Sequence, residues 1–354
     1  MATIGLCMIV KNEAAVIARC LQSVACWIDT WTIVDTGSTD NTVEVIESTT
    51  QALGIPGRLH HRLWQDFGHN RSEAIELARA HSDYLLFIDA DEVLQWQGGS
   101  RPALQADAYS YIMHHGELRY ERIAIVSTRL PWRYVGVLHE YPDCGQPIKA
   151  QVLHGLSVLY GYDGARSRNP QKFLDDAAVL ERALKVEPAN ARYWFYLAQS
   201  WRDAGCLEKA VVCYEQRASM GDWEEEAWYS QYQVARLQSR LGLPLAQVCE
   251  SFRLAYERRP SRAESLLWWA VALRVQQQWH SALLLLKTAF PLALSTDSLF
   301  VEPDCYGWRC ADELALALFH TNCKTDAHKA WSVALKLNVP AEEQARIEAN
   351  MRNC

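Results

Sequence analysis

The 354-residue sequence has no apolar run long enough to cross a bilayer, since the richest one, SALLLLKTAFPLALS, is broken by Lys287 and Pro291. It also lacks any basic run interleaved with aromatics. With a formal net charge of −7, it carries no nucleic-acid footprint. MATIGLCMIV has no basic leader and passes straight into a strand-like pattern, so no signal peptide is expected. The 11 cysteines are odd in number and form no CxxC pair. Cys7 falls in a strand pattern, and Cys213 and Cys249 in helical ones. They read as small buried hydrophobes, and a cytoplasmic location is expected. Two nucleotide-binding devices are missing as well: no GxGxxG follows the first strand pattern, and there is no GxxxxGK[ST] loop.

What is present divides into two halves. At 354 residues and 49% hydrophobic content, the chain can fill two cores. Over residues 1–165, apolar strand runs alternate with helical stretches. TIGLCMIV precedes the helical EAAVIARCLQSV, WTIVD precedes a helix from about Asn41, and SEAIELARA feeds YLLFID. Such alternation predicts an α/β domain with a mostly parallel, Rossmann-like sheet. RIAIVSTRLPWRYVGVLHEYP has no helical period and reads as later strands and turns. Residues 166–354 are predicted all-α. A lead-in helix is expected at 171–186, then about three helix pairs, with an irregular end at 308–337. Ala210, Ala246 and Ala282 recur at intervals of 36 residues, and Gly205 and Gly242 precede the first two. A small residue at fixed phase suits two closely packed helices, and this half resembles the tetratricopeptide repeat. STDSLFVEPDCYGW interrupts the period and reads as a loop. The tryptophans at repeat phase (Trp194, Trp201, Trp228, Trp268 and Trp269) read as packing residues.

In an open α/β sheet, ligands sit beyond the carboxyl ends of the strands, and three polar clusters fall at such places. They are Lys11, Asn12 and Glu13 in KNE, Asp35 in VDTGSTDNT, and Asp89 and Asp91 in FIDADE. Asp40 reads as a helix cap. Asp35 comes too early for capping, and an acceptor there could take the ring N–H of a pyrimidine. Without a glycine-rich cradle, a diphosphate needs another neutraliser. A divalent cation on Asp-x-Asp supplies one, and alternation along an extended chain would face both acids the same way. Trp132 and Tyr134 are candidates for a sugar or acceptor platform, with strand packing the equal alternative. His60, His61, His114 and His115 have no metal-like company.

LCMIVKNEAAVIARCLQSV, VDTGSTDNT, WQDFGHNRSEAIELA, FIDADE and VGVLHEY occur in the order seen in family 2 glycosyltransferases of the GT-A fold. More narrowly, the chain resembles a bacterial subgroup that appends tetratricopeptide-type helices and includes peptide S-glycosyltransferases of glycocin pathways. The resemblance implies a metal-dependent, inverting transfer from a nucleotide sugar, with a UDP-sugar expected, and Mn²⁺ or Mg²⁺ as cofactor. Asp35 would contact the base, Lys11, Asn12 and Glu13 would line the nucleotide pocket, and Arg71 would lie near the nucleotide or its phosphates. Asp89 would lie by ribose and metal, and Asp91 would ligate the metal. Glu140, after the glycine turn at Gly136, would be the catalytic base, and His154 would complete the metal shell, with His139 as the alternative ligand. The acceptor would be a peptide or protein side chain or a glycan, held in part by the helical half; self-association as a homodimer is left open. A reading from another class is an interaction scaffold with a vestigial transferase half.

Overall fold

The structure is a computed structural model that describes residues 2–115 and 118–354; the side chains of His115, Leu118 and Arg119 lie outside what it describes, and with them the reading of His115. The chain divides into two compact units, Met1–Leu180 and Glu181–Cys354.

The first unit opens with β1 (Ile4–Val10), α1 (Ile17–Val24), β2 (Thr30–Asp35), α2 (Thr42–Leu53), β3 (Gly57–His61), α3 (Phe67–Ala78) and β4 (Tyr84–Phe87). Strands β5 (Val93–Trp96), β6 (Ala108–His115), β7 (Leu118–Ser127), β8 (Arg133–Val135), β9 (Tyr141–Asp143) and β10 (Ala150–Leu159) follow, before α4 (Lys172–Val186) spans the division. The main sheet runs β3-β2-β1-β4-β7-β6-β10-β5, and β8 and β9 form a separate hairpin. Strands β3, β2, β1 and β4 are parallel, as the alternating sequence predicts. The β4–β7, β7–β6 and β10–β5 pairings are antiparallel.

Alternation along β1 builds a core on each face of the sheet. Ile4, Leu6, Met8 and Val10 pack with Ile17, Leu21 and Val24 of α1 and Ile46 of α2. Cys7 packs on the other face with Ala74, Ile75 and Ala78 of α3. The chain thus changes face between β3 and β4, and the β1/β4 junction becomes the switch point where a crevice opens beyond the carboxyl ends. The ends of β1, β2 and β4 release the KNE, Asp35 and Asp89–Glu92 segments there.

The second unit holds α5 (Ala191–Asp203), α6 (Leu207–Ser219), α7 (Glu224–Arg240), α8 (Leu245–Arg258), α9 (Ala263–Val275) and α10 (Trp279–Ala289). After a 3₁₀ turn at Pro303–Tyr306 come α11 (Trp308–His320), α12 (Lys324–Ala334) and α13 (Ala341–Arg352). The expected irregular end is therefore a fourth regular pair, α11 and α12. Each pair turns through one left-handed residue: Gly205 (φ 79°), Gly242 (φ 68°), Gln277 (φ 59°) and Asn322 (φ 66°). The amide after it donates back to a carbonyl five residues earlier, as in Cys206 to Trp201 and Cys323 to Leu318, both 2.8 Å, closing the same helix-ending motif four times. Packing follows position in the helix, not the 36-residue interval. The fourth residue of each second helix is Ala210, Val248, Ala282 or Ala327, and all four are buried. Ala246 is exposed. Trp228 is fully buried, stacked on Tyr232 and covered by Arg262. Among the described residues no helix is long and apolar enough to cross a membrane, and all eleven cysteines are unpaired.

Candidate active site

The crevice begins with the stretch after β4. The extended run stops at Phe87, and Asp89–Glu92 form a turn closed by the Glu92 amide donating to the Asp89 carbonyl at 3.0 Å. Strand alternation therefore does not set the directions of Asp89 and Asp91; the turn does. Glu92 folds inward. It is fully buried and accepts from the Asp89 amide at 2.9 Å and from Arg122 at 2.5 Å. Of the three acids, Glu92 is structural.

Asp89 meets two guanidinium groups, Arg71 at 2.5 Å and Arg122 at 3.9 Å, which hold its carboxyl below the usual range against the opposing effect of burial. Asp91 has weaker support, from Arg19. Burial first, then the charges of Asp89 and Asp163, push its pKa up to about 6. Glu13 behaves alike: burial and the charges of Asp91 and Asp89 push it up to about 7, although its carboxylate accepts from the Ala165 amide at 3.2 Å. The segment bearing Ala165 lies close over the turn. A Cβ on Gly161 would fall 2.0 Å from the Asp91 carbonyl oxygen, and one on Gly164 2.6 Å from Asp91 Oδ2. Arg19 binds this segment through Asp163 at 2.8 Å and donates to the Asp91 carbonyl at 3.0 Å.

Among the described residues no three acid, histidine or cysteine side chains converge into a ready-made metal cage. The donor set nonetheless fits a hard divalent cation bound together with phosphates, which needs only one or two carboxylates from the protein. Asp91 and Glu13 each resist ionisation because they are buried and because negative neighbours crowd them, and added positive charge offsets both. His154 does not join them. Register pairs Leu159 with Val93 and Leu156 with Trp96, so His154 lies past the far end of the β5–β10 ladder. It is exposed, and the structure does not bring it together with Asp89 and Asp91.

Asp35, 4% exposed at the end of β2, accepts from the Gly37 and Ser38 amides through Oδ1, both at 3.0 Å. Its Oδ2 is buried and has no hydrogen-bond partner among the described residues. A buried acceptor left open is costly unless a ligand N–H meets it. Asn12, in a left-handed conformation (φ 58°), accepts from the Thr39 amide at 2.7 Å and so braces the first loop against the second. Asp40 ties the same loops, accepting from the Thr42 and Ala14 amides. Lys11 is exposed at the mouth.

Arg71 lies on α3, and Glu140 on the turn between β8 and β9; they pair at 2.6 Å. The helix start and the turn touch closely. The Phe67 amide donates to the Val137 carbonyl at 3.2 Å, and a Cβ on Gly68 would fall 2.2 Å from the Gly136 carbonyl oxygen. Ser72 accepts from the Tyr134 amide at 2.9 Å. Burial raises the Glu140 pKa, with Arg71 the main opposing influence. Arg71 thus stands between Asp89 and Glu140, with Tyr134 packed against its guanidinium. Neither aromatic platform candidate is available: Trp132 is buried with its ring N–H on the Ser127 carbonyl, and Tyr134 packs on Phe87.

Sequence reasoning did not find Arg122, Arg166, Asp163 or Tyr160. Arg166 sits over the Phe67 ring and influences Asp89. The glycines of YGYDGA were the legible sign that this segment approaches other backbone closely.

The family model for Glycosyl transferase family 2 matches residues 6–96, the stretch that carries all three clusters. A TPR repeat-containing protein of Synechococcus elongatus is 33% identical over 153 residues, 40% of this chain and 36% of that protein. The SPbeta prophage-derived glycosyltransferase SunS of Bacillus subtilis is 24% identical over 211 residues, 56% of this chain and 49% of SunS. The matched stretches thus span half or less of these relatives' own length. Among solved structures, MamA (TM-score 0.39, 14% identity, 53% of this chain and 98% of that one) and the TPR protein YrrB (0.40, 11%, 51% and 84%) match too faintly to carry weight. Residues 6–96 carry a family 2 glycosyltransferase domain.

Proposed function

We propose that the protein is a metal-dependent, inverting glycosyltransferase that moves a sugar from a uridine diphosphate sugar to a peptide or protein side chain or to a glycan. The observation that carries this reading is the crowding of Asp89, Asp91 and Glu13 at the β1/β4 switch point, where burial and neighbouring negative charge outweigh the influence of Arg19 on Asp91 and of Arg168 on Glu13. The buried, unpartnered Oδ2 of Asp35 supports uracil, whose ring N–H would donate to it. Lys11 at the mouth would lie along the nucleotide, while Asn12 shapes the pocket by bracing its loops.

Asp91, with Asp89 beside it, would hold the divalent ion. When bound, that ion supplies charge neutralisation to a departing diphosphate. Arg71 and Arg122 add positive charge at the same place, in a site that needs no reorganisation. Glu140 is the base: an acceptor atom forms its bond to the anomeric carbon as the bond to the phosphate oxygen breaks. The acceptor proton goes to the Glu140 carboxylate, and the nucleoside diphosphate leaves with the bonding pair. A raised pKa suits Glu140 to that task near neutral pH.

A hydrolysis screen of nucleotide sugars with Mn²⁺ and Mg²⁺ tests the reading. The wild type turns over one uridine diphosphate sugar slowly, and Asp91→Ala abolishes turnover. Equal turnover by both proteins removes the metal role. No metal-dependent binding of UDP by the wild type favours the scaffold reading instead.

A further inference from the structure

Asp35 has a neighbour that the transfer chemistry leaves unused. His61, the last residue of β3, pairs in register with Asp35, the last residue of β2. Side chains at one register position of adjacent strands share a face, and the His61 Nδ1 lies 3.7 Å from Asp35 Oδ1. The main chain beneath the histidine is fixed. The Arg62 amide donates to the Asp35 carbonyl at 2.9 Å, and the Arg62 guanidinium donates to the His61 carbonyl at 2.9 Å while pairing with Glu73 at 2.7 Å. The loop that follows is tied from inside by fully buried Asn70, which donates to the Leu63 carbonyl and accepts from the Gln65 amide, both at 3.0 Å. The His61 side chain itself is 68% exposed, and 3.7 Å is too long for a hydrogen bond to Asp35. A rigid strand end therefore presents an imidazole whose donor is unspent.

The ring N–H of a uracil stands between two carbonyl oxygens, at positions 2 and 4. A lone carboxylate facing that edge attracts the N–H and repels both carbonyls. A donor beside the carboxylate turns one of those repulsions into a second hydrogen bond, and among the described residues His61 is the basic side chain paired with Asp35. Strand order decides which carbonyl it meets. The sheet runs β3-β2-β1-β4 here, and the acids proposed to serve the diphosphate stand at the β1/β4 switch point. His61 thus lies on the side of Asp35 turned away from the diphosphate. In a uridine the ribose joins position 1, and position 4 lies directly across the ring from it. The far carbonyl is the one at position 4.

We propose that His61 is a specificity residue, donating from its imidazole to the position-4 carbonyl of a uracil whose ring N–H is received by Asp35 Oδ2. The inference rests on the reading of Asp35 as the base site and adds a second point of recognition to it. An ion pair with Asp35 does not account for the arrangement. Oδ1, the oxygen nearer to His61, is already met by the Gly37 and Ser38 amides, and the oxygen left open is Oδ2. Side by side, the carboxylate and the imidazole read a donor followed by an acceptor, the order that uracil shows. Cytosine reverses it, with an acceptor in the ring and an amine at position 4, and would leave the buried Oδ2 facing a lone pair.

Calorimetry on the full chain with Mn²⁺ present compares UDP with its 4-thio analogue, whose sulfur is the poorer acceptor. His61→Phe keeps a flat ring and removes the N–H, whereas His61→Gln supplies a donor again. At so exposed a position neither change threatens folding. The preference for UDP over the analogue falls about threefold or more in His61→Phe, the worth of one hydrogen bond, and returns in His61→Gln. An unchanged preference in His61→Phe, or equal weakening of both diphosphates, overturns the proposal. The N3-methyl analogue of UDP tells this failure from a failure of the base site, because discrimination against it belongs to Asp35 and persists in His61→Phe. If it persists while the 4-thio preference does not move, Asp35 stands and the role of His61 falls. A wild type indifferent to N3-methylation removes both.

Discussion

Replacing Arg71 by methionine keeps much of the apolar stem and removes the guanidinium that holds Asp89 at 2.5 Å and Glu140 at 2.6 Å. Asp89 keeps Arg122. Glu140, its side chain only 10% exposed, loses its ion pair with Arg71. Breaking a buried pair from one side costs about 3–5 kcal/mol while the remaining charge persists. Glu140 limits that cost by taking up a proton, and each pH unit lower makes this easier by about 1.4 kcal/mol. The direction follows from the raised folded-state pKa. An ionised Glu140 opposes folding, the opposition is absent below its unfolded value near 4.5, and it grows as pH rises towards the folded value. Without Arg71 the folded value climbs further, so the window of growing penalty extends upward.

Urea unfolding at pH 5 and pH 8 measures this. Arg71→Met loses little more than its hydrogen bonds at pH 5, about 1 kcal/mol. At pH 8 the loss reaches about 3 kcal/mol or more. Adding Glu140→Gln recovers most of the pH 8 loss, because the charge left uncompensated is gone. An equal loss at the two pH values, or a double variant as unstable as Arg71→Met at pH 8, would refute the pairing as the source of the effect.

Manganese affinity in the presence of UDP, followed by calorimetry, rises between pH 5 and about pH 6 by up to about tenfold per unit and then flattens, because a proton competes for Asp91 until its pKa near 6 is passed; a flat profile from pH 5 to 7 counts against Asp91 as ligand. Wild type binds UDP more tightly than its N3-methyl analogue by about tenfold or more, the worth of a hydrogen bond to a charged acceptor, and Asp35→Ala loses the discrimination; undiminished preference in that variant removes Asp35 from the base site. Gln277, held at φ 59°, gains from replacement by glycine: Gln277→Gly stabilises the helical unit by about 1 kcal/mol, visible as a rise in melting temperature, whereas no rise means the left-handed turn carries no strain.

The parallel half of the sheet and its three polar clusters were legible because each strand there is a short apolar run that ends abruptly in acids or KNE, and a buried parallel strand must release such residues at its end. The strands β6, β7 and β10 mix polar and apolar residues, and their pairing depends on partners tens of residues away, which no local pattern reports. His154 illustrates the cost: order along the chain suggested a metal ligand, but only the register of β10 against β5 decides which end of the ladder it occupies. The helical half shows a similar limit. Two of its four left-handed turn positions are glycine and announce themselves; Gln277 and Asn322 do the same work with side chains that give no such signal. Ala246 matched a fixed interval, yet the left-handed glycine comes 37 residues on and the connection before α8 is one residue longer than that before α6, so Val248, 38 residues after Ala210, takes the buried place.

The larger gap concerns charge. Acids gathered at a strand end imply a cation, but the sequence alone does not say how much positive charge the fold already brings. Arg71 comes from α3, Arg122 from β7 and Arg166 from the segment after β10, three elements that share no motif. Together they settle Asp89, and Arg122 with the Asp89 amide engages one oxygen of Glu92, whose other stays buried and unpartnered. The unmet requirement therefore narrows to Asp91 and Glu13, the two carboxylates whose pKa values are raised by burial first and then by their acidic neighbours. A divalent ion arriving with a diphosphate would add net charge close to zero or below, and on the proposed reading the arginines would offset the phosphates while Asp91 takes the metal. Arg71 faces both demands at once, since the side chain that steadies Asp89 also restrains Glu140. Any shift of Arg71 towards an incoming phosphate would loosen its hold on that base, tying the arrival of the donor to the readiness of the acceptor side.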